Sequence, residues 1–310
     1  MIDFLKKIKK TNFFYIFLRY LLIPIYSFFW QFILNFISFL ISKIYLLTSF
    51  RKEYVNLKSN TKILVKDHQE FKDLANEIKK SINKKLICKN IEFIQSAEYK
   101  NVLKGKNNEA AFNYPFKIDL FDQLDDKIQK RIINFAVSDF MIKTACKYLG
   151  VFPIFTRVYV NLNISRKDNR QTASQLWHRD DFGYKNLDLF LAIDNINNEN
   201  GPLFVIKKKD PLNIFFRPSS EINSNLTGER GKILDKDFNY MLDNGEKSVI
   251  TLKGESGTAL LIDSIRNYHK GGYCLKNYRL TLRLNYLTSD SFFKINKFKK
   301  KRSDWIKLIN

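Results

Sequence analysis

From Ile154 to Leu287 the chain is a succession of short β-prone runs, IFTRVYVNLN, LDLFLAID, PLFVIK, SVITLKG, GTALLID and RLTLRLNYL, several of them bounded by Gly, Asn or Pro. Asn200-Gly201-Pro202 is a strong turn between two of these runs. Strands that arrive after helical segments, rather than alternating with them, point away from a parallel α/β sheet and toward a double-sheet jelly roll. The expected fold class is therefore α+β, mainly β: a double-stranded β-helix, cupin-like, with an N-terminal helical layer and a hydrophobic N-terminal helical extension. In such a barrel the mouth is the usual place for a ligand.

The helical layer is expected from two segments. Asp67 with Glu70 has the spacing of a capping box, and Phe71, Leu74, Ala75, Ile78 and Ile82 follow at helical intervals. His68 falls in that first turn and reads as an exposed helix-start residue. A short strand is expected around Asn90 to Ile94, then a loop through Gly105 and Asn113 to Pro115. A second helix is expected from about Asp125 to Leu149, turning Ile128, Ile132, Phe135, Ala136 and Phe140 inward and stopping at Gly150.

The first fifty residues differ from the rest. Between Arg19 and Lys43 lie 23 uncharged positions, Tyr20 to Ser42, which meets the roughly 20 residues a bilayer span needs. Pro24 would break or kink a helix near its start. Ser27, Gln31, Asn35, Ser38 and Ser42 form a narrow polar stripe along an otherwise apolar helix. Basic residues flank both ends, so charge gives no orientation. A span, a monotopic or re-entrant anchor and a helix covered by protein are all compatible with this pattern, and membrane contact through residues 1–50 is the expectation. Three regions follow: 1–60 as the membrane-associating segment, 61–290 as the main domain, and 291–310 as a basic tail with attraction for anionic lipid.

With Lys plus Arg at 53 and Asp plus Glu at 31, the net charge is +22. Lys is abundant throughout and no nucleic-acid-binding motif accompanies it, so no specific nucleic acid is expected as a partner. Cys88, Cys146 and Cys274 fit neither a disulfide framework nor a zinc site. They read as free thiols of a reducing compartment, which makes the expected location cytoplasmic and membrane-associated. Cys274 reads as a small apolar filler beside a strand.

His178 and Asp180, two positions apart, point to one side of an extended strand. A second histidine context, Asn267-Tyr268-His269-Lys270-Gly271-Gly272, lies downstream, and the chain has only three histidines in all. Two imidazoles and one carboxylate on a single face make the ligand set associated with non-haem Fe(II) oxygenases. Asp181 is the competing carboxylate, but its spacing from His178 turns it to the opposite face.

His178-Arg179-Asp180, the downstream Asn200-Gly201-Pro202-Leu203, His269-Lys270-Gly271-Gly272 and a following Arg on the last strand resemble the phytanoyl-CoA dioxygenase family, over roughly Phe112 to Tyr286. That resemblance implies a double-stranded β-helix using Fe(II), 2-oxoglutarate and O2, with His178, Asp180 and His269 as iron ligands and catalytic centre. It also implies a cofactor-binding arginine for 2-oxoglutarate. Arg279, ten residues after His269, matches the family position best, and Arg283 on the same strand face is the second candidate or a structural ion-pair residue. The implied reaction decarboxylates 2-oxoglutarate to succinate and carbon dioxide and hydroxylates a substrate. The chain departs from the family after Ile206, where Lys207-Lys208-Lys209-Asp210 replaces Pro-Gly-Ser-His, and the 207–246 stretch reads as distinctive.

The leading expectation is thus a 2-oxoglutarate-dependent dioxygenase acting on a lipid, lipid-linked or other amphipathic small molecule. The alternatives are a catalytically silent jelly-roll binding module at the membrane and a basic nucleic-acid binder. Oligomeric state is not legible in the sequence.

Overall fold

Strand pairing in the computed structural model builds the barrel, which is described over residues 23–49, 53–57, 62–96, 116–165, 173–180, 185–206 and 249–288. In chain order the elements are α1 (Ile23–Thr48), β1 (Lys62–Val65), α2 (Gln69–Ser81), α3 (Lys84–Gln95), β2 (Lys117–Asp119), α4 (Asp126–Ala136), α5 (Asp139–Leu149), β3 (Ile154–Ile164), β4 (Asn186–Ala192), β5 (Leu203–Ile206), β6 (Val249–Leu252), β7 (Ala259–Ile262), β8 (His269–Gly271) and β9 (Tyr278–Leu287). A six-stranded sheet runs β1-β7-β4-β9-β3-β2 and a three-stranded sheet runs β6-β5-β8, every neighbouring pair antiparallel. A bridge between His178 and His269 adds one more chain segment beside β8. The chain therefore passes back and forth between the two sheets, which is the winding of a double-stranded β-helix.

Alternation along the strands separates two interiors. On β9, Leu280, Leu282, Leu284 and Tyr286 are buried in the main core with α2, α4 and α5. The intervening Arg279, Thr281, Arg283 and Asn285 turn to the space between the sheets. On β3, Val158, Val160, Leu162 and Ile164 join the same core, while Arg157, Asn161 and Asn163 are buried polar residues on the other face. The helices thus complete the apolar side of the large sheet, and the barrel lumen receives the polar side. A smaller apolar cluster of Phe190, Ala192, Leu203, Val205, Leu260 and Ile262, with its neighbours, fills part of the gap between the sheets.

Four local expectations are corrected. Asn90 to Ile94 is not a strand but part of α3: Asn83 caps that helix by accepting from the Leu86 amide at 2.8 Å, and Ile87, Asn90 and Ile94 are buried at helical spacing. The single helix from Asp125 to Leu149 is two helices, because Ser138 leaves the helical conformation and accepts from the Met141 amide to start α5. Gly150 does end it, in the left-handed conformation with φ 80. At α2 the cap position is His68, with no side-chain cap bond, while Asp67 pairs with Lys72. His68 is half-buried against Phe71 and Phe140 rather than exposed. The loop at 105–115, the 207–246 stretch and the basic tail lie outside the described residues.

Gly201 ends the predicted turn with φ 70, and a Cβ there would lie 2.5 Å from the Tyr273 carbonyl. Only glycine satisfies both demands. α1 docks on the helical layer through Ser38, whose hydroxyl donates to Phe152 O at 2.9 Å and whose carbonyl accepts from Phe152 N at 3.0 Å. Among the described residues no helix is long and apolar enough to cross a membrane.

Just past β7 the Asp263 carboxylate is fully buried, accepting from the Tyr148 hydroxyl at 2.7 Å. Burial pushes its pKa up to about 6 from an ordinary 3.8. A raised folded-state value gives stabilisation that is complete below the unfolded pKa and lost as pH rises through the folded one. The Asp263→Asn variant is therefore expected to remove a decline in unfolding free energy, on the order of 2–3 kcal/mol, between roughly pH 4 and pH 6. Denaturant unfolding of both proteins across that range checks it, and identical slopes would count against the assignment.

Candidate metal centre

Backbone pairing sets the two histidines side by side. His178 N donates to His269 O at 3.0 Å and His269 N donates to His178 O at 2.9 Å, which brings the ring centroids to 4.3 Å. Each ring is then oriented by a carbonyl. His178 Nδ1 lies 2.7 Å from Leu176 O, and His269 Nδ1 lies 3.1 Å from Asn267 O. A carbonyl can only accept, so Nδ1 carries the proton and Nε2 presents its lone pair, as in metal-ligating imidazoles.

Asp180 joins them through its own backbone, its amide donating to Ser264 O at 2.9 Å. Its Oδ1 stands 3.8 Å from His178 Nε2 and 4.0 Å from His269 Nε2. One ligand atom from each of the three residues falls within 4.8 Å of the others, the three-residue group among the described residues that is suited to hold a metal ion. Asp181 lies outside the described residues. The donor set, two neutral imidazoles and one carboxylate, fits a divalent transition metal with coordination positions left for other ligands.

The second carboxylate oxygen is occupied by protein. Asp180 Oδ2 accepts from Arg283 Nη2 at 2.5 Å and from Ser264 Oγ at 2.9 Å, leaving Oδ1 turned to the imidazoles. Arg283 is held in turn by the fully buried Asp188, donating from Nε and Nη2 at 2.9 Å each. Asn285 and Asn186 also donate to Asp188, at 2.9 and 3.0 Å, and Ser264 Oγ, 2.5 Å from it, shares its single proton between Asp188 and Asp180. Burial alone raises the Asp180 carboxyl, but its charged surroundings, the Arg283 guanidinium foremost, outweigh it and hold it well below the usual carboxylate range. It is a carboxylate, ready for a cation.

Arg279 and Arg283 share one face of β9 but differ in partners. Four residues of strand put their Cα atoms roughly 13 Å apart. Arg283 is committed to the two carboxylates. Arg279 is 6% exposed, its Nη1 has no hydrogen-bond partner, and among the described residues no carboxylate pairs with it. Burial pushes its pKa down, with Cys274 opposing. An unpaired buried guanidinium costs several kcal/mol, about as much as removing one member of a buried ion pair.

Several residues of this site carry no motif. Asp188 was visible only as an acid inside the apolar run LDLFLA, Ser264 had no signal, and Lys117 comes from β2. In the ladder Lys117 opposes Asn163, which opposes Arg279. Burial, then Arg283, pushes the Lys117 ammonium down to about 8. Cys274 is buried and donates from Sγ to Asn200 O at 2.9 Å, away from the metal ligands, as a filler would.

No protein-family model matches the chain, and no curated protein does. Among solved structures the chain is similar to EctD from S. alaskensis, crystallised with 2-oxoglutarate and 5-hydroxyectoine, at 14% identity over 78% of this chain and 80% of that one, with a TM-score of 0.47. It is also similar to the non-heme alpha ketoglutarate dependent epimerase SnoN from nogalamycin biosynthesis, at 13% identity over 74% and 77% with a TM-score of 0.39. A third is EvdO2 from Micromonospora carbonacea var. aurantiaca complexed with 2-oxoglutarate, at 17% identity over 56% and 66% with a TM-score of 0.34. With TM-scores below 0.5 these likenesses carry no weight for the chemistry, which rests on the residues described above.

Asp188→Asn removes the carboxylate that takes the Nε and one Nη2 donor of Arg283 and frees the guanidinium to shift against Asp180. Affinity for Co(II), followed by its visible absorption, is expected to fall about 10- to 100-fold, as for other residues that orient a metal ligand. Circular dichroism confirms that the variant is folded. Unaltered Co(II) affinity in a folded variant would show that Asp188 does not orient the site.

Proposed function

We propose that the chain is an Fe(II)- and 2-oxoglutarate-dependent dioxygenase of the phytanoyl-CoA dioxygenase type, hydroxylating a lipid, lipid-linked or other amphipathic small molecule. The observation that carries this reading is the buried Arg279, which has no carboxylate partner among the described residues and faces the same lumen as the His178, Asp180 and His269 triad. A metal-binding module alone has no use for such a guanidinium. A dicarboxylate that reaches from a metal to a cation uses both.

In this reading His178 and His269 would hold iron through Nε2 and Asp180 through Oδ1, while Arg283 and Ser264 keep Oδ2 engaged. Arg279 would receive the distal carboxylate of 2-oxoglutarate, a group that a guanidinium fork suits better than an ammonium. Phe190, which opposes Arg283 in the ladder, and Val205, which opposes His269, make the apolar wall that keeps water from that side. When bound, iron with O2 and 2-oxoglutarate supplies the oxidising power, 2-oxoglutarate leaving as succinate and carbon dioxide as a substrate C–H bond is hydroxylated. The apolar 1–60 segment and the basic 291–310 tail support a cytoplasmic protein held at a membrane, which is the basis for an amphipathic substrate.

The test is succinate formation from 2-oxoglutarate by the full chain under air with Fe(II) and ascorbate. Asp180→Ala and Arg279→Ala are each expected to lower it at least ~100-fold, with the Arg279 variant keeping its Co(II) affinity. No succinate, together with no Fe(II)-dependent binding of 2-oxoglutarate, would leave the silent binding module as the reading.

A further inference from the structure

α1 is mounted inside out. The C-terminal part of its polar stripe faces the protein: Ser38 exchanges hydrogen bonds with Phe152, Ser42 is 1% exposed, and Tyr45 on the same side donates to Asp139 Oδ1 at 2.6 Å while its ring meets Phe152 edge-on at 5.6 Å. The apolar residues face away. Phe36 is 55% exposed, Ile44 61% and Leu47 86%, with Phe32, Ile37 and Leu40 beside them.

At 100° per residue the exposed apolar positions from Phe32 to Leu47 sweep an arc of about 200°. A partner helix would cover a stripe nearer 100° wide, so a second protein helix leaves much of this arc in water. A bilayer covers all of it. Charge agrees with that occupant: no acidic residue stands between Asp3 and Glu53, while Lys6, Lys7, Lys9, Lys10, Arg19, Lys43, Arg51 and Lys52 do. Lys43 is exposed, its stem lying along the helix with the ammonium 5.1 Å from the Phe39 ring, a placement suited to reaching lipid headgroups.

The dock is also at the triad's end of the barrel. Phe152 stands two residues before β3, and the last turn of α5 next to it carries Tyr148, whose hydroxyl donates to Asp263. The next residue, Ser264, holds Asp180.

We infer that α1 is an in-plane membrane anchor that keeps its polar stripe on the domain, buries its outward apolar face in anionic lipid, and so holds the triad's end of the barrel at the bilayer. The substrate class that fits is an amphiphile resident in that bilayer. The substrate class rests on the oxygenase reading above, whereas the seating of the helix is independent of it.

The experiment uses full-length protein with vesicles of phosphatidylcholine, with and without phosphatidylserine. Co-sedimentation is expected with the anionic vesicles, and Phe36→Asp with Ile44→Asp should weaken it at least tenfold while leaving Co(II) affinity at the triad unchanged. In a Cys88→Ser background, Tyr45→Cys and Asp139→Cys are joined by a short thiol-reactive linker, and the cross-link is expected to form as well on vesicles as in solution. Binding with loss of that cross-link on vesicles would overturn the inside-out seating and leave membrane contact standing. No vesicle binding, with self-association that Phe36→Asp abolishes, would overturn the lipid face in favour of a second copy of the chain. Absence of both would overturn it outright, and none of these outcomes depends on succinate formation.

Discussion

The pleat of the large sheet is the constraint on which everything else hangs. Because successive side chains leave a strand on opposite faces, β9 delivers Leu280, Leu282, Leu284 and Tyr286 to the helices and Arg279, Thr281, Arg283 and Asn285 to the lumen. β3 beside it does the same with Val158, Val160 and Leu162 against Arg157, Asn161 and Asn163. A slip of one residue would drive two guanidiniums into the apolar core and expose its leucines to the lumen. The register is therefore fixed by the cost of burying charge as much as by the gain of burying hydrocarbon.

Within the lumen, charge is matched unevenly. Asp188 and Asp180 between them saturate Arg283, and that arrangement does two things at once: it stabilises a cation deep in the barrel and points one oxygen of Asp180 at the imidazoles. Arg279, four residues away on the same face, has no such partner among the described residues. The two arginines would be interchangeable in a composition table. Their surroundings set them apart: Arg283 positions Asp180, and Arg279 keeps an Nη1 with no hydrogen-bond partner among the described residues.

The N-terminal helix shows the same logic at larger scale. An amphipathic helix on a soluble domain buries its apolar face; α1 buries the polar one through Ser38, Ser42 and Tyr45 and leaves Phe36, Ile44 and Leu47 outside. What counts as the inside of such a helix depends on its surroundings.

Much of this was legible in one dimension. The strand runs from Ile154 onward, the Gly201 turn, the stop at Gly150 and the apolar spacing of α2 depend on local pattern and backbone chemistry, and these the amino-acid order determines by itself. It also singled out His178, Asp180 and His269, because histidine is scarce in the chain and its two contexts are distinct. The break between α4 and α5 and the helical state of Asn90 to Ile94 were missed, since a single capping side chain decided each against a continuous pattern. What only the tertiary structure decided is who meets whom: that Asp188 and Asp180 converge on one guanidinium with Ser264 between the two carboxylates, that Lys117 from a distant strand enters the same lumen, that Arg279 has no carboxylate partner among the described residues, and that Ser38 and Ser42 of α1 face inward. Those outcomes depend on distances between residues far apart in the chain, and electrostatic partnership in a low-dielectric interior is set by distance in space, which sequence spacing does not record.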